Sequence, residues 1–212
     1  HDNFMCVRNF ARRLHKCKTP SLLFTLDIRK AFDSVKWGYM LDLLQRLGFP
    51  DRFRAWIAAL LSSSSSRVLL NGIPGPPIKH GKGFRQGDPI SPLLFVIAID
   101  PLHKILDLAT RKGLLHKIRG RGPMVRTSLY ADDAAVFCAP IKTDIDNLAS
   151  ILRGFGDDTG LCITFREVLG FSKSIPTPLS PLATFASSSL FGCLFMTFTL
   201  VGKPKMISFG SM

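Results

Sequence analysis

Three observations predict an α+β fold. The run LLFTLDI, residues 22 to 28, is compact and apolar, as a buried strand is; amphipathic stretches at helical spacing surround it; and strands and helices follow one another without regular β-α-β repetition. Taken in order, Phe4, Val7, Phe10, Ala11 and Leu14 fall at helical spacing, and TPS at 19 to 21 breaks the pattern. After the first strand, Trp37, Met40, Leu41, Leu44 and Leu47 share one helical face, with Gly48 and Pro50 as the stop. Phe53, Trp56, Ile57, Leu60 and Leu61 make a second amphipathic helix that ends in a serine run. RVLLNG reads as a strand, and the glycine- and proline-rich stretch from Ile73 to Pro89 as a loop. Ser91 is placed to cap a helix beginning at Pro92, which Pro101 should kink or shorten. A strand-turn-strand around YADD comes next, then a helix near Asp144 to Phe155.

The chain has 212 residues, 46% of them hydrophobic, enough for one core. Lysine and arginine number 28 against 15 acids, a net charge of +13 that points to a polyanionic partner, most often nucleic acid. Five scattered cysteines without a C-x-x-C pair, and five histidines without a cluster, argue against a structural zinc site and suit a reducing compartment. The sequence opens on His1 with no signal or transit peptide, as a piece of a longer reading frame would.

Against this basic background Asp132 and Asp133 stand side by side in SLYADDAAVFC, between Leu129, Tyr130 and Ala134, Ala135, Val136, Phe137. Unpaired buried carboxylates are costly, so a basic side chain, a turn or a divalent metal should sit with them. An acidic phospho-acceptor pocket would expect alternating β-α units, which are lacking. Two-metal phosphoryl transfer needs carboxylates from different strands converging on ions roughly 3.5–4 Å apart. Asp27, at the end of its strand, together with the acid pair meets that need. The glycine-rich basic turn GKGFRQGDP leads into the next helix, and a basic surface would hold a phosphate backbone nearby.

In that order, LDIRKAFDSV, GFRQGDPISPLLF and YADD resemble motifs A, B and C of reverse transcriptases. HDNF at the start and LQRLGFP after motif A resemble the non-LTR (LINE-type) retrotransposons of plants. The resemblance covers residues 1 to about 165 and implies the palm and partial fingers of a right-hand polymerase, an antiparallel sheet packed on helices. It implies Asp27 and Asp132 as metal-binding aspartates, Asp133 as the third active-site acid, and the carbonyl of Ile28 as a further metal ligand. Phe32 matches the aromatic gate that rejects a 2′-hydroxyl. Gln86 and Gly87 match positions lining the incoming nucleotide and template base, and Arg85 would add positive charge there. Asp33 is expected to order the turn that follows it.

The implied activity is RNA-directed DNA synthesis with two Mg2+ ions, Mn2+ being a substitute. RNA template, DNA primer and deoxynucleoside triphosphates are the implied partners and the nucleus the implied location. In the stretch resembling motif D, Thr164 stands where Asn is usual and Glu167 where a lysine protonates the leaving pyrophosphate, a role Glu fills poorly at neutral pH. A catalytically inactive nucleic-acid-binding remnant is the rival expectation. Residues 166 to 212 read as a degenerate or frame-shifted tail. Between Lys173 and Lys203 no side chain is charged, and FASSSLFGCLFMTFTLVG is just long enough for a membrane span, but its hydroxyl residues and polymerase-like context argue against one. No membrane contact is expected.

Overall fold

A computed structural model of the protein describes residues 2–118, 126–130 and 133–170. Two compact units divide the chain: His1–Ile28 with His103–Leu152 and Ile163–Met212, and Arg29–Leu102 with Arg153–Cys162. Mixed helices and antiparallel strands bear out the α+β expectation at that level.

In the first unit, four strands form a sheet: β1 (Leu22–Arg29), β6 (Thr127–Tyr130), β7 (Asp133–Cys138) and β8 (Cys162–Gly170), in the order β6-β7-β1-β8. (Four two-residue strands, β2 to β5, come between in the chain and are placed below.) β7 runs antiparallel to both β6 and β1. Leu22, Leu23, Phe24, Leu26 and Ile28 are all at most 2% exposed, so both faces of β1 are covered. That is why its sequence is a continuous apolar run and not an alternating one. On one side, α1 (Asp2–Lys16) delivers Phe10, Ala11 and Leu14 to a cluster with Leu23, Ile118 and Phe137. The rings of Phe10 and Phe137 meet edge-on at 4.8 Å, a favourable aromatic geometry. Phe24, of opposite parity on β1, packs on Phe165 of β8 at 5.2 Å.

Arg126, just before β6, is almost fully buried, a feature no sequence pattern announced. Its guanidinium donates to the carbonyls of His116 and Phe137, and burial pulls its pKa below the ordinary value. Nearby, the buried Asp144 of α6 (Lys142–Thr159) accepts from the His116 amide at 2.9 Å and contacts its ring at 2.6 Å.

The second unit holds α2 (Ala31–Ser34), α3 (Trp37–Arg46), α4 (Asp51–Ser62) and the first part of α5 (Ser91–Arg111). Val35, Met40, Leu44, Leu94, Phe95, Ala98 and Leu102 form its interior. The expected single strand at RVLLNG is instead a hairpin, β3 (Leu69–Leu70) against β4 (Ile73–Pro74). Asn71 and Gly72 both have positive φ, 51° and 83°, and turn the chain between the two short strands. Outside this hairpin, β2 (Ser65–Ser66) pairs with β5 (Ile78–Lys79).

Pro101 does not end α5, which runs on to Arg111. Leu94, Ala98, Leu102 and Leu106 form a stripe at i, i+4 spacing, each at most 2% exposed, and that burial outweighs one lost helix bond. The boundary expected at residue 165 falls inside β8, which continues to Gly170, and Leu169 packs on the Phe10–Phe137 cluster. The remainder of the proposed tail, residues 171–212, lies outside the described residues. Among the described residues no helix is long and apolar enough to cross a membrane.

Candidate active site

Asp27 is the sixth residue of β1 and is half-buried. Pairing of β1 with β7 sets it opposite Asp133, the first residue of β7. Directly opposed residues of an antiparallel pair lie about 4.5–5.5 Å apart at Cα, so motifs A and C meet at their acids. Leu22 to Leu26 are matched against Cys138 to Ala134, and Phe10 on Phe137 and Phe24 on Phe165 pack on opposite faces of the sheet.

β6 and β7 form a hairpin whose last described pair is Tyr130 with Asp133. By count, Ala131 and Asp132 lie between them; both are outside the described residues, and so is the expected role of Asp132. No cationic side chain among the described residues pairs with the Asp27 carboxylate. A carboxylate such as that of Asp27 supplies the hard oxygen ligands that Mg2+ takes. Among the described residues no group of three or more acids, histidines or cysteines could hold a metal by itself. Of the residues expected to hold a metal, the described ones are Asp27 and Ile28, neighbours on β1. From β8, the Thr164 hydroxyl donates to the Asp27 carbonyl at 3.4 Å, so the stretch resembling motif D lies along motif A. Glu167 is on the same strand.

The residues expected to meet the nucleotide belong to the second unit. Phe32, in α2, is half-buried and its ring stacks on Phe95 of α5 at 4.9 Å. Asp33 is exposed and accepts a hydrogen bond from the Gln86 amide at 3.4 Å. Arg85 donates to Ser64 at 3.2 Å and Ser63 at 3.1 Å, which aims an otherwise exposed guanidinium. Gly87 has φ +90°, a conformation that favours glycine. Asp88 then accepts from the Ile90 amide at 3.1 Å and leads the loop into α5. Asp33, Ser66, His80, Lys82, Arg85 and Gln86 line an open groove of about 470 Å³.

Sequence reasoning missed the parts that fix this loop. Trp37 was legible only as a member of an apolar helix face, yet its indole N–H donates to the Gly83 carbonyl at 2.7 Å. Gly83 gave a weak signal as one glycine among several. Phe95 sat unnoticed in SPLLF.

The sequence profile described as reverse transcriptase (RNA-dependent DNA polymerase) matches residues 2–166. The chain is 31% identical over 133 residues to the transposon TX1 uncharacterized 149 kDa protein of Xenopus laevis, covering 62% of this chain and 10% of that protein. It is 37% identical over 108 residues to a retrovirus-related Pol polyprotein from a type-1 retrotransposable element R2 of Nasonia vitripennis, covering 51% of this chain and 10% of that protein. An uncharacterized mitochondrial protein of Arabidopsis thaliana is 35% identical over 69 residues, covering 32% of this chain and 57% of that protein. The chain thus spans about a tenth of the length of the first two relatives. Among solved structures, one chain of an "RdRp complex" is similar at 12% identity and a TM-score of 0.49, over 77% of this chain and 16% of that one, a likeness too coarse to carry any argument. With that profile matching residues 2–166, well over half of the chain, and with relatives in retrotransposable elements, the chain belongs to the reverse transcriptase (RNA-dependent DNA polymerase) family.

Proposed function

We propose that this chain is the palm, with part of the fingers, of an RNA-directed DNA polymerase from a plant LINE-type (non-LTR) retroelement, working in the nucleus. The pairing of Asp27 with Asp133 across β1 and β7 carries the reading. A primer 3′-hydroxyl would attack the α-phosphorus of a deoxynucleoside triphosphate, forming one phosphodiester bond while pyrophosphate leaves. Asp27, Asp132 and the Ile28 carbonyl would hold two Mg2+ ions, with Asp133 beside them. When bound, such ions neutralise phosphate charge and lower the pKa of the attacking hydroxyl. The chain's own residues bind and orient. Arg85, aimed by Ser63 and Ser64, attracts the nucleotide's negative charge; Gln86 and the side-chain-free Gly87 line its base; Phe32 excludes a 2′-hydroxyl.

The variant Asp27→Asn should cut primer extension by roughly a hundredfold or more, since even second-shell losses around a metal cost about 10–100-fold. Its folding should be intact, because no described side chain depends on that carboxylate. Extension at the parent rate by a folded Asp27→Asn protein would overturn the assignment. One observation favours a second reading, an inactive remnant: Glu167 occupies the place of a general-acid lysine. Nucleic-acid binding without extension in Mg2+ or Mn2+, restored by Glu167→Lys, would support it.

A further inference from the structure

We infer that Trp37 is a positioning residue for the nucleotide site, acting through the backbone of the loop that precedes motif B. Three hydrogen bonds clamp that loop to the segment carrying Phe32. The Gly83 amide donates to the Val35 carbonyl at 2.8 Å, the Phe84 amide donates to the Phe32 carbonyl at 2.6 Å, and the Trp37 indole closes the set at the Gly83 carbonyl. The first two bonds use backbone atoms alone; the third depends on one side chain, so Trp37 is where sequence controls the clamp.

Gly83 is confined twice over. Its φ is +80°, and a Cβ there would lie 2.6–2.8 Å from the backbone of Asp33, closer than real Cβ atoms approach. Backbone therefore meets backbone with nothing between, and small shifts of the loop transfer directly to α2. Downstream of the clamp, Phe84 is buried while Arg85 and Gln86 are exposed on the groove, with Gln86 reaching back to Asp33. Phe32 is held from two directions, by its carbonyl in the clamp and by its ring on Phe95. The far side of the same segment is fixed as well. The Lys36 amide donates to Thr159 at 2.8 Å and its ammonium group to the Asp157 carbonyl at 2.6 Å. With one side anchored, the Trp37 bond sets how far the loop can lift away on the other.

This inference rests on the nucleotide-site reading above, and the test separates the two. In a polymerase containing the whole chain, Trp37→Phe keeps an aromatic ring on α3 and removes the N–H donor together with part of the ring volume. It should raise the KM for deoxynucleotides roughly three- to tenfold, the factor that one net hydrogen bond carries, with kcat little changed. Discrimination against ribonucleotides should fall in parallel, and the Gly83 and Phe84 amides should exchange faster with deuterium. Phe32→Ala is run beside it. Relaxed sugar selectivity in Phe32→Ala together with parent KM and selectivity in Trp37→Phe would overturn the positioning role and leave the gate standing. Raised KM and faster exchange in Trp37→Phe, with selectivity unchanged in Phe32→Ala, would sustain the clamp and remove the gate. A Trp37→Phe protein whose melting temperature falls while its KM and selectivity stay at parent values would show a merely structural tryptophan and overturn the proposal.

Discussion

Tyr39 illustrates how one residue's surroundings become a measurable pH dependence. Its hydroxyl donates to the Ala98 carbonyl at 2.8 Å and its ring lies edge-on to Phe155. Burial, helped by the carboxylates of Asp158 and Asp100, pushes its pKa up to about 12 from the usual 10.0. The folded state therefore keeps the proton more tightly than the unfolded chain does. Stability from this group is fully present below pH 10 and is lost as pH rises from about 10 to about 12. The variant Tyr39→Phe cannot ionise, so the difference in stability between parent and variant should shrink steadily across that window. Chemical denaturation at a series of alkaline pH values measures it, and a constant difference would refute the assignment. A shared, Tyr39-independent decline is also expected, since burial likewise raises the Cys138 thiol to about 12.

At the scale of elements, what the sequence disclosed was what periodicity and punctuation encode. β1 was legible because burial on both faces leaves an unbroken apolar run, and α3 because Gly48, with φ +81°, does end it. Asp27 and Asp133 stood out in the sequence because acids are costly in such strands, and the register sets the two opposite one another. The Asn71-Gly72 turn was readable too, but two-residue strands are too short to show a period, so RVLLNG looked like one strand. Trp37's bond to Gly83 spans 46 positions and leaves no local trace. β8 was hidden for a different reason: its end was judged with the uncharged sequence that follows, which masked the alternation through Leu169. This strand makes a prediction. Ending the protein after Arg166 removes Glu167 to Gly170 and strips Leu169 from the Phe10–Phe137 cluster, whereas ending it after Gly170 keeps them. Losing one half-buried leucine costs about 1–2 kcal/mol. The shorter protein should therefore melt about 3–6 °C below the longer one. Equal melting temperatures would mean that the last turn of sequence in β8 contributes no packing.

For the molecule as a whole, the governing quantity is a net charge of +13 beside the few acids of the candidate site. The proposed function reconciles the two if they act on different parts of a nucleic acid: the acids would hold metal at the reacting phosphate, and the basic surface would hold the strand's other phosphates. Charge engaged in this second way displaces counterions, so affinity falls linearly on a log–log plot against salt, by about −0.7 per phosphate on single strands and about −0.9 on duplex DNA. Contact with roughly four phosphates on a single-stranded template then gives a slope of roughly −3. Titrating a labelled RNA at several salt concentrations measures this directly. The same experiment tests the division of labour. Asp27→Asn, which alters the proposed metal site and not the proposed phosphate contacts, should leave the slope at the parent value when Mg2+ is withheld from both proteins. Charge reversal at Lys82 and Arg85, which line the groove, should make the slope shallower by about one to two phosphates' worth. A flat response in the parent protein would mean that the basic charge is ordinary solvated surface. A slope altered by Asp27→Asn would mean that this carboxylate tunes backbone binding instead of serving the reacting centre.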